Sequence, residues 1–306
     1  MELQSRLISF ILQYLDSVSF LIIAGLSIAI IYGMMGIINM ATGEFMMVGA
    51  YIFALLVHAG CSWLIALLAS FIGGAILGLL LDKIIICRMH GKPIESLVIT
   101  YGVSLIISQI VFIIFGPSIG GVAAPIGSIS IFGMQYSGYR LFIVGVAFFL
   151  MLCIYYLFQH TRIGIHVRAT MQNREIAGCM GVNIDRMNTM PFVLASGLAG
   201  LGGALYAPIM TLSPTYGNNF LTHGFVAVIV GGTEPLIGTV LSSLALATVE
   251  SSLANLMNTL FGRIGILVVA ILLLRFLPKG FSGLLENRML RQRSGTEKTS
   301  KEGENT

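Results

Sequence analysis

The chain has 306 residues, 56% of them hydrophobic and only 10% charged, with a formal net charge of +4 and a mean hydropathy of +0.92. Soluble domains carry about 25% charged residues, which excludes a soluble globular class; the solid apolar runs exclude a β-barrel, whose strands alternate. Stretches 17–43, 45–81, 96–139, 141–161 and 187–233, together more than half the chain, contain no Asp, Glu, Lys or Arg. A membrane-spanning helix needs ~20 apolar residues, so several stretches hold one span and the longest hold two. The fold class is therefore an all-α polytopic membrane protein.

Three spans are predicted before the first basic loop: 18–39, a short one near 45–57, and 62–84. Lys83, Arg88 and Lys92 mark that loop. Two more, 96–115 and 140–159, flank the turn-rich segment 116–139 with Pro117, Gly120, Gly121, Pro125 and Gly127. Arg162, Arg168, Arg174 and Arg186 mark a second basic loop, at about 160–187. Four spans follow: 189–211, a short one near 221–233, 236–256 and 262–277, with Pro214, Gly217, Asn218 and Asn219 read as an outer turn at 212–222. Basic loops belong in the cytoplasm. The count is then nine within a range of eight to ten, with the N-terminus outside and the C-terminus inside. The first apolar run merges into a full span, so no cleavable signal peptide is expected. Residues 1–283 form the membrane domain, and 284–306 read as a basic cytoplasmic tail without fixed structure. From Arg275 onward there are seven Lys/Arg against four Glu. Beside a last apolar helix, that excess suits lipid headgroups rather than nucleic acid.

Two short runs break the apolar pattern. Gly33 to Phe45 places Gly36, Asn39, Thr42, Gly43 and Glu44 in otherwise apolar sequence, and Val230 to Gly238 does the same with Gly231, Gly232, Thr233, Glu234 and Pro235. Paired broken helices in two halves of a transporter point to a central solute site and an internal repeat; the plainer alternative is two capped loops at the membrane surface. Ionisable groups inside spans are costly and hence functional candidates: Glu44, Glu234, Glu250 and Arg263. Glu250, between Thr248 and Ser251, either pairs with Arg263 or faces a cavity. Asn39, Thr42, Glu44, Thr233, Glu234 and Glu250 are thus candidates for a solute path. Gly197, Gly200 and Gly203 form a small-residue face for close helix packing.

No catalytic constellation emerges. The five histidines are scattered, Cys61, Cys87, Cys153 and Cys179 lack zinc or disulfide spacing, and no phosphate-binding loop exists. The chain is expected to be no enzyme and to bind no metal or nucleotide cofactor. Segment 160–187 is too amphipathic to span. A short helix from about Gln172 to Met180 would gather Ile176, Cys179 and Met180 on one face, to lie on the bilayer or to dock a partner.

Residues 31–45, Ile-Tyr-Gly-Met-Met-Gly-Ile-Ile-Asn-Met-Ala-Thr-Gly-Glu-Phe, resemble a signature of inner-membrane permeases of ATP-binding-cassette importers, in the branched-chain amino acid, urea and short-amide family. Arg162-x-Gly164 to Arg168-Ala169, then Gln172-Asn173-Arg174, Ala177 and Gly181, resemble that family's ATPase-contacting loop. Ser196 to Gly203, Gly231-Gly232 and Arg275 to Gly280 extend the likeness, which runs from Phe20 to Gly283. The resemblance implies a permease domain over 1–283 in a bacterial inner membrane. It also implies a second similar permease, two cytoplasmic ATPases that bind the ATP, and a periplasmic solute-binding protein. Arg168, Gln172, Asn173, Arg174 and Gly181 become ATPase-coupling candidates. The chain departs from the family where Thr42 replaces His or Gln and Glu234 replaces Gly. Gln172-Asn173-Arg174 and Tyr136 to Leu141 lean toward urea; Thr248 to Ser251 lean toward branched-chain amino acids. The amino acid reading is preferred, with a urea or short-amide permease as the alternative and a passive small-solute channel as a second.

Overall fold

A computed structural model describes residues 2–89, 93–131, 134–232, 234–277 and 280–283. Thr233, Lys92, Lys279 and the 284–306 tail lie outside the described residues. The chain forms helices α1 (Glu2–Met35), α2 (Thr42–His58), α3 (Trp63–Ile84), α4 (Pro93–Phe115), α5 (Gly138–His160), α6 (Arg162–Gln172), α7 (Arg174–Cys179), α8 (Ile184–Tyr206), α9 (Tyr216–Gly231), α10 (Pro235–Leu256) and α11 (Thr259–Phe276). A 3-10 turn, Ile86–Arg88, follows α3, and strands β1 (Ser128–Ile131) and β2 (Met134–Ser137) make an antiparallel hairpin before α5. Among the described residues, seven helices are long and apolar enough to cross a membrane. The 17-residue α2 and 16-residue α9 are shorter, about 25 Å each at 1.5 Å per residue. Each of the nine expected apolar segments corresponds to one helix, in order.

The differences lie at the edges. Helix α1 begins well before position 18 and carries Asp16 inside it, paired with Arg140 of α5. The 212–222 segment is not all turn: Gly217, Asn218 and Asn219 form the first turn of α9. Gly217 is there because α2 crosses at this point. A methyl on Gly217 would lie 2.1 Å from the Gly43 carbonyl oxygen. The 116–139 segment holds the β-hairpin and a bridge from Ile119 to Leu212.

Helices α1 and α8 form the interior, and most of their apolar windows are buried. Helix α8 packs against α2 and α3, and α1 against α9 and α10. Exchanging α1 with α8, α2 with α9 and α3 with α10 maps these neighbours onto one another, the pattern of an internal two-fold repeat. The small-residue face makes it possible: Gly200 packs on the Ser70 carbonyl and Gly74, Gly197 on Phe71, and Gly203 on the Met46 carbonyl. Removing Cβ lets backbones approach where lipid supplies no hydrophobic drive. The relation breaks at the ends. Helix α11 packs along α10, whereas α4 makes no extensive contact with α3 and meets mainly α2. Exposed Ile, Leu, Val and Phe side chains cover the outer faces of α3, α4, α5 and α11, as lipid contact requires.

Candidate functional site

The loop 36–41 separates α1 from α2 inside the bundle, so its backbone groups need partners. Asn39 supplies one: its Oδ1 accepts the Ala41 N–H at 3.0 Å, and its carbonyl accepts the Thr42 hydroxyl at 3.0 Å. The Met40 N–H donates to Thr100 Oγ1 of α4 at 3.0 Å. Thr100 in turn donates to the Ser96 carbonyl at 2.7 Å. Glu44, in the first turn of α2, accepts the Ser104 hydroxyl on Oε1 at 2.7 Å. Asn39, Thr42 and Glu44 are all buried, Glu44 being only 4% exposed. Yet Glu44 Oε2 and Asn39 Nδ2 have no hydrogen-bond partner among the described residues. Thr100 and Ser104 escaped the sequence reading, although Ser96, Thr100 and Ser104 recur at four-residue spacing on one helical face.

The second broken run is built differently. It follows the C-terminus of α9, whereas the first precedes the N-terminus of α2, so the two breaks are not counterparts in the repeat. Gly232 has φ +91° and ψ −139°, a conformation open essentially to glycine alone. Gly231 and Gly238 touch backbone to backbone, and a methyl on Gly238 would come 2.3 Å from the Gly231 carbonyl oxygen. Pro235 opens α10, as suits a first helical position without a needed N–H. The Glu234 N–H donates to Ser282 Oγ at 3.1 Å while its side chain is exposed.

One cavity of about 860 Å³ joins the two breaks. Gly33, Met34 and Gly36 line one wall, Gly232 and Glu234 another, and Arg168 and Gln172 of α6 a third. Arg168 also donates to Gln159 of α5, which anchors α6 to a long helix. Val167 and Thr170 of α6 are buried against the bundle.

The expected helix from Gln172 to Met180 is shorter. It starts at Arg174 because Asn173 caps it, Oδ1 accepting the Ile176 N–H at 3.1 Å. Gly181 ends it with φ +83°, while the Val182 N–H reaches back to the Ala177 carbonyl at 3.1 Å. Arg174, Ile176 and Met180 are exposed, Met180 at 81%. Among the coupling candidates, then, Arg168 and Gln172 face the cavity, Asn173 and Gly181 shape α7, and Arg174 projects outward.

Glu250 stands apart from this site. It faces Ser17 of α1 and His223 of α9, with Asp16 nearby. Arg263 contributes a weaker attraction from the exposed side of α11, so the expected Glu250–Arg263 pair is not the main contact.

Residues 10–277 match the family described as the branched-chain amino acid transport system / permease component. The chain belongs to that family. It is 25% identical over 271 residues to the high-affinity branched-chain amino acid transport system permease protein LivH of Salmonella typhimurium, covering 83% of this chain and 88% of that one. A probable LivH permease of Methanocaldococcus jannaschii is 28% identical over 283 residues, covering 86% and 89%. The ribose import permease RbsC of Escherichia coli is 27% identical over 118 residues, 36% of each chain. No solved structure matches. As a member of the permease family, the chain is a multi-pass transport subunit of an ATP-binding-cassette importer rather than an enzyme.

Proposed function

We propose that this permease forms the path for branched-chain amino acids. Its partners are a second similar permease, two cytoplasmic ATPases and a periplasmic binding protein. The observation that carries the reading is likeness to LivH proteins across nearly 90% of their length. Basic loops favour the cytoplasmic side, which supports a cytoplasmic position for α6, α7 and the C-terminus. ATP is bound by the ATPases.

The proposed mechanism follows from the connections. Exposed Arg174 and the apolar tip at Ile176 and Met180 receive the ATPase. Asn173 and Gly181 fix the shape of that contact. Movement passes through α6, held to α5 by Arg168, into the wall of the cavity between the breaks. Asn39, Thr42 and Glu44 line the solute path on the α2 side, with Glu234 at its cytoplasmic end. Glu250 supports the α1–α9–α10 side rather than meeting the same solute group. Cells with and without the gene, tested under energised conditions for labelled leucine and urea uptake, check this reading. Loss of leucine uptake alone is expected. Loss of urea uptake alone contradicts the assigned substrate.

A further inference from the structure

We propose that Glu44 Oε2 and Asn39 Nδ2, with Thr100 and Ser104 of α4 as the facing wall, form the subsite for the zwitterionic head of an α-amino acid. The inference rests on the solute path proposed above and adds to it two residues and a recognition chemistry.

The argument starts from cost. A carboxylate oxygen in an apolar interior without a partner is expensive, as is an amide N–H₂ left unmade. Glu44 and Asn39 each hold one such atom, and each residue is more than nine-tenths buried. Both already use their other polar atom: Glu44 Oε1 takes the Ser104 hydroxyl, and Asn39 Oδ1 takes the Ala41 N–H. One carboxyl oxygen and one neutral donor therefore remain. An α-ammonium answers the first and an α-carboxylate oxygen the second, and these are the two ends of one small zwitterion.

Both groups are referred to the same face of α4. Ser104 binds Glu44, Thr100 binds the residue after Asn39, and the two hydroxyls stand one helical turn apart. Helix α4 is also the wall free to part. Its contacts with the bundle are mainly to α2, through these hydrogen bonds and the Tyr51–Phe115 ring contact at 5.2 Å. Its opposite face is apolar, with Val98, Leu105 and Ile113 more than half exposed. The position is occluded when α4 is seated and admits solute when α4 moves outward.

The test uses the complete importer, with partner permease, ATPases and binding protein, in proteoliposomes. Glu44→Gln replaces the free acceptor by a donor, and Asn39→Asp replaces the free donor by an acceptor while keeping Oδ1. Neither changes side-chain size. Each is expected to lower ATP-driven leucine uptake by about tenfold or more, the scale of a lost charged hydrogen bond, at equal amounts of folded permease in the vesicles. Uptake within about twofold of wild type in both variants overturns the proposal. Should either variant misfold, accessibility decides instead. Ser104→Cys, in a chain with the four native cysteines replaced by serine, is labelled by a small thiol reagent during ATP turnover, and leucine protects it. Absence of labelling in every state, or labelling indifferent to leucine, overturns the subsite. Wild-type vesicles that accumulate urea and not leucine would refute the proposed function itself. Leucine uptake unaffected by the variants would refute this subsite alone.

Discussion

Placing a methyl at Gly203 tests whether the α2–α8 crossing is as close as the site requires. A Cβ there would lie 1.9 Å from the Met46 carbonyl oxygen and 2.5 Å from its carbon. Ordinary contact starts at 3.4 Å, so α2 would have to withdraw by about 1.5 Å. It cannot do so freely. Gly49 and Gly200 fix a second close point on the same pair of helices, and Tyr216 donates to the Gly203 carbonyl at 2.7 Å. The obstacle is backbone, which cannot rotate aside as a side chain does. Overpacking typically costs 1–3 kcal/mol, and a doubly pinned crossing belongs at the upper end, about 3 kcal/mol. Gly145→Ala in α5 is the matched control, since its methyl meets nothing within 4 Å; helix propensity makes it neutral or stabilising by up to about 1 kcal/mol. Equilibrium unfolding of the purified permease in mixed micelles measures both. Gly203→Ala also displaces the helix carrying Thr42 and Glu44, so leucine uptake per folded molecule falls. If the two variants unfold within about 0.5 kcal/mol of each other, the close-crossing argument is refuted.

Three further perturbations probe other parts. Gly181→Ala forces a left-handed backbone on alanine, at roughly 1–2 kcal/mol; with Arg174→Ala, it should abolish uptake and solute-stimulated ATPase activity while the binding protein still retains leucine. Normal uptake in both variants would remove the docking role. Asp16 and Arg140 pair with the Asp16 side chain only 20% exposed, so a double-mutant cycle of Asp16→Asn and Arg140→Gln should give roughly 1.5–3 kcal/mol of coupling, little changed by salt because a partly buried pair is screened weakly; a value near zero, or one lost in high salt, contradicts a partly buried pair. Glu250→Gln should reduce uptake less than Glu44→Gln at equal membrane abundance, because Glu250 faces Ser17 and His223 rather than α4. The reverse order would move the solute site toward α10.

Charge-free stretches and basic loops sufficed to locate every long helix, because the bilayer imposes one length and polarity rule on each. They could not show that the 2–16 segment continues α1, nor that Asp16 within it meets Arg140, some 120 residues away. Gly217 looked like a turn residue and is instead a contact residue, since sequence does not distinguish a glycine that bends from one that lets Gly43 approach. Asn39, Thr42 and Glu44 were legible as polar groups in apolar surroundings. Thr100 and Ser104 were not singled out, because hydroxyl side chains on a spanning helix usually bond their own preceding turn, as Thr100 also does. Glu250 was legible as an ionisable group in a span that either pairs with Arg263 or faces a cavity; that Ser17 of α1 and His223 of α9 would face it came only from the packing.

The most direct measurement is labelled leucine accumulation in proteoliposomes containing this permease with its proposed partners, with internal ATP present or absent. ATP-dependent accumulation above the external concentration, abolished by Arg174→Ala, is the predicted result. Equilibration of solute at the same rate without ATP would contradict the account and identify a passive path.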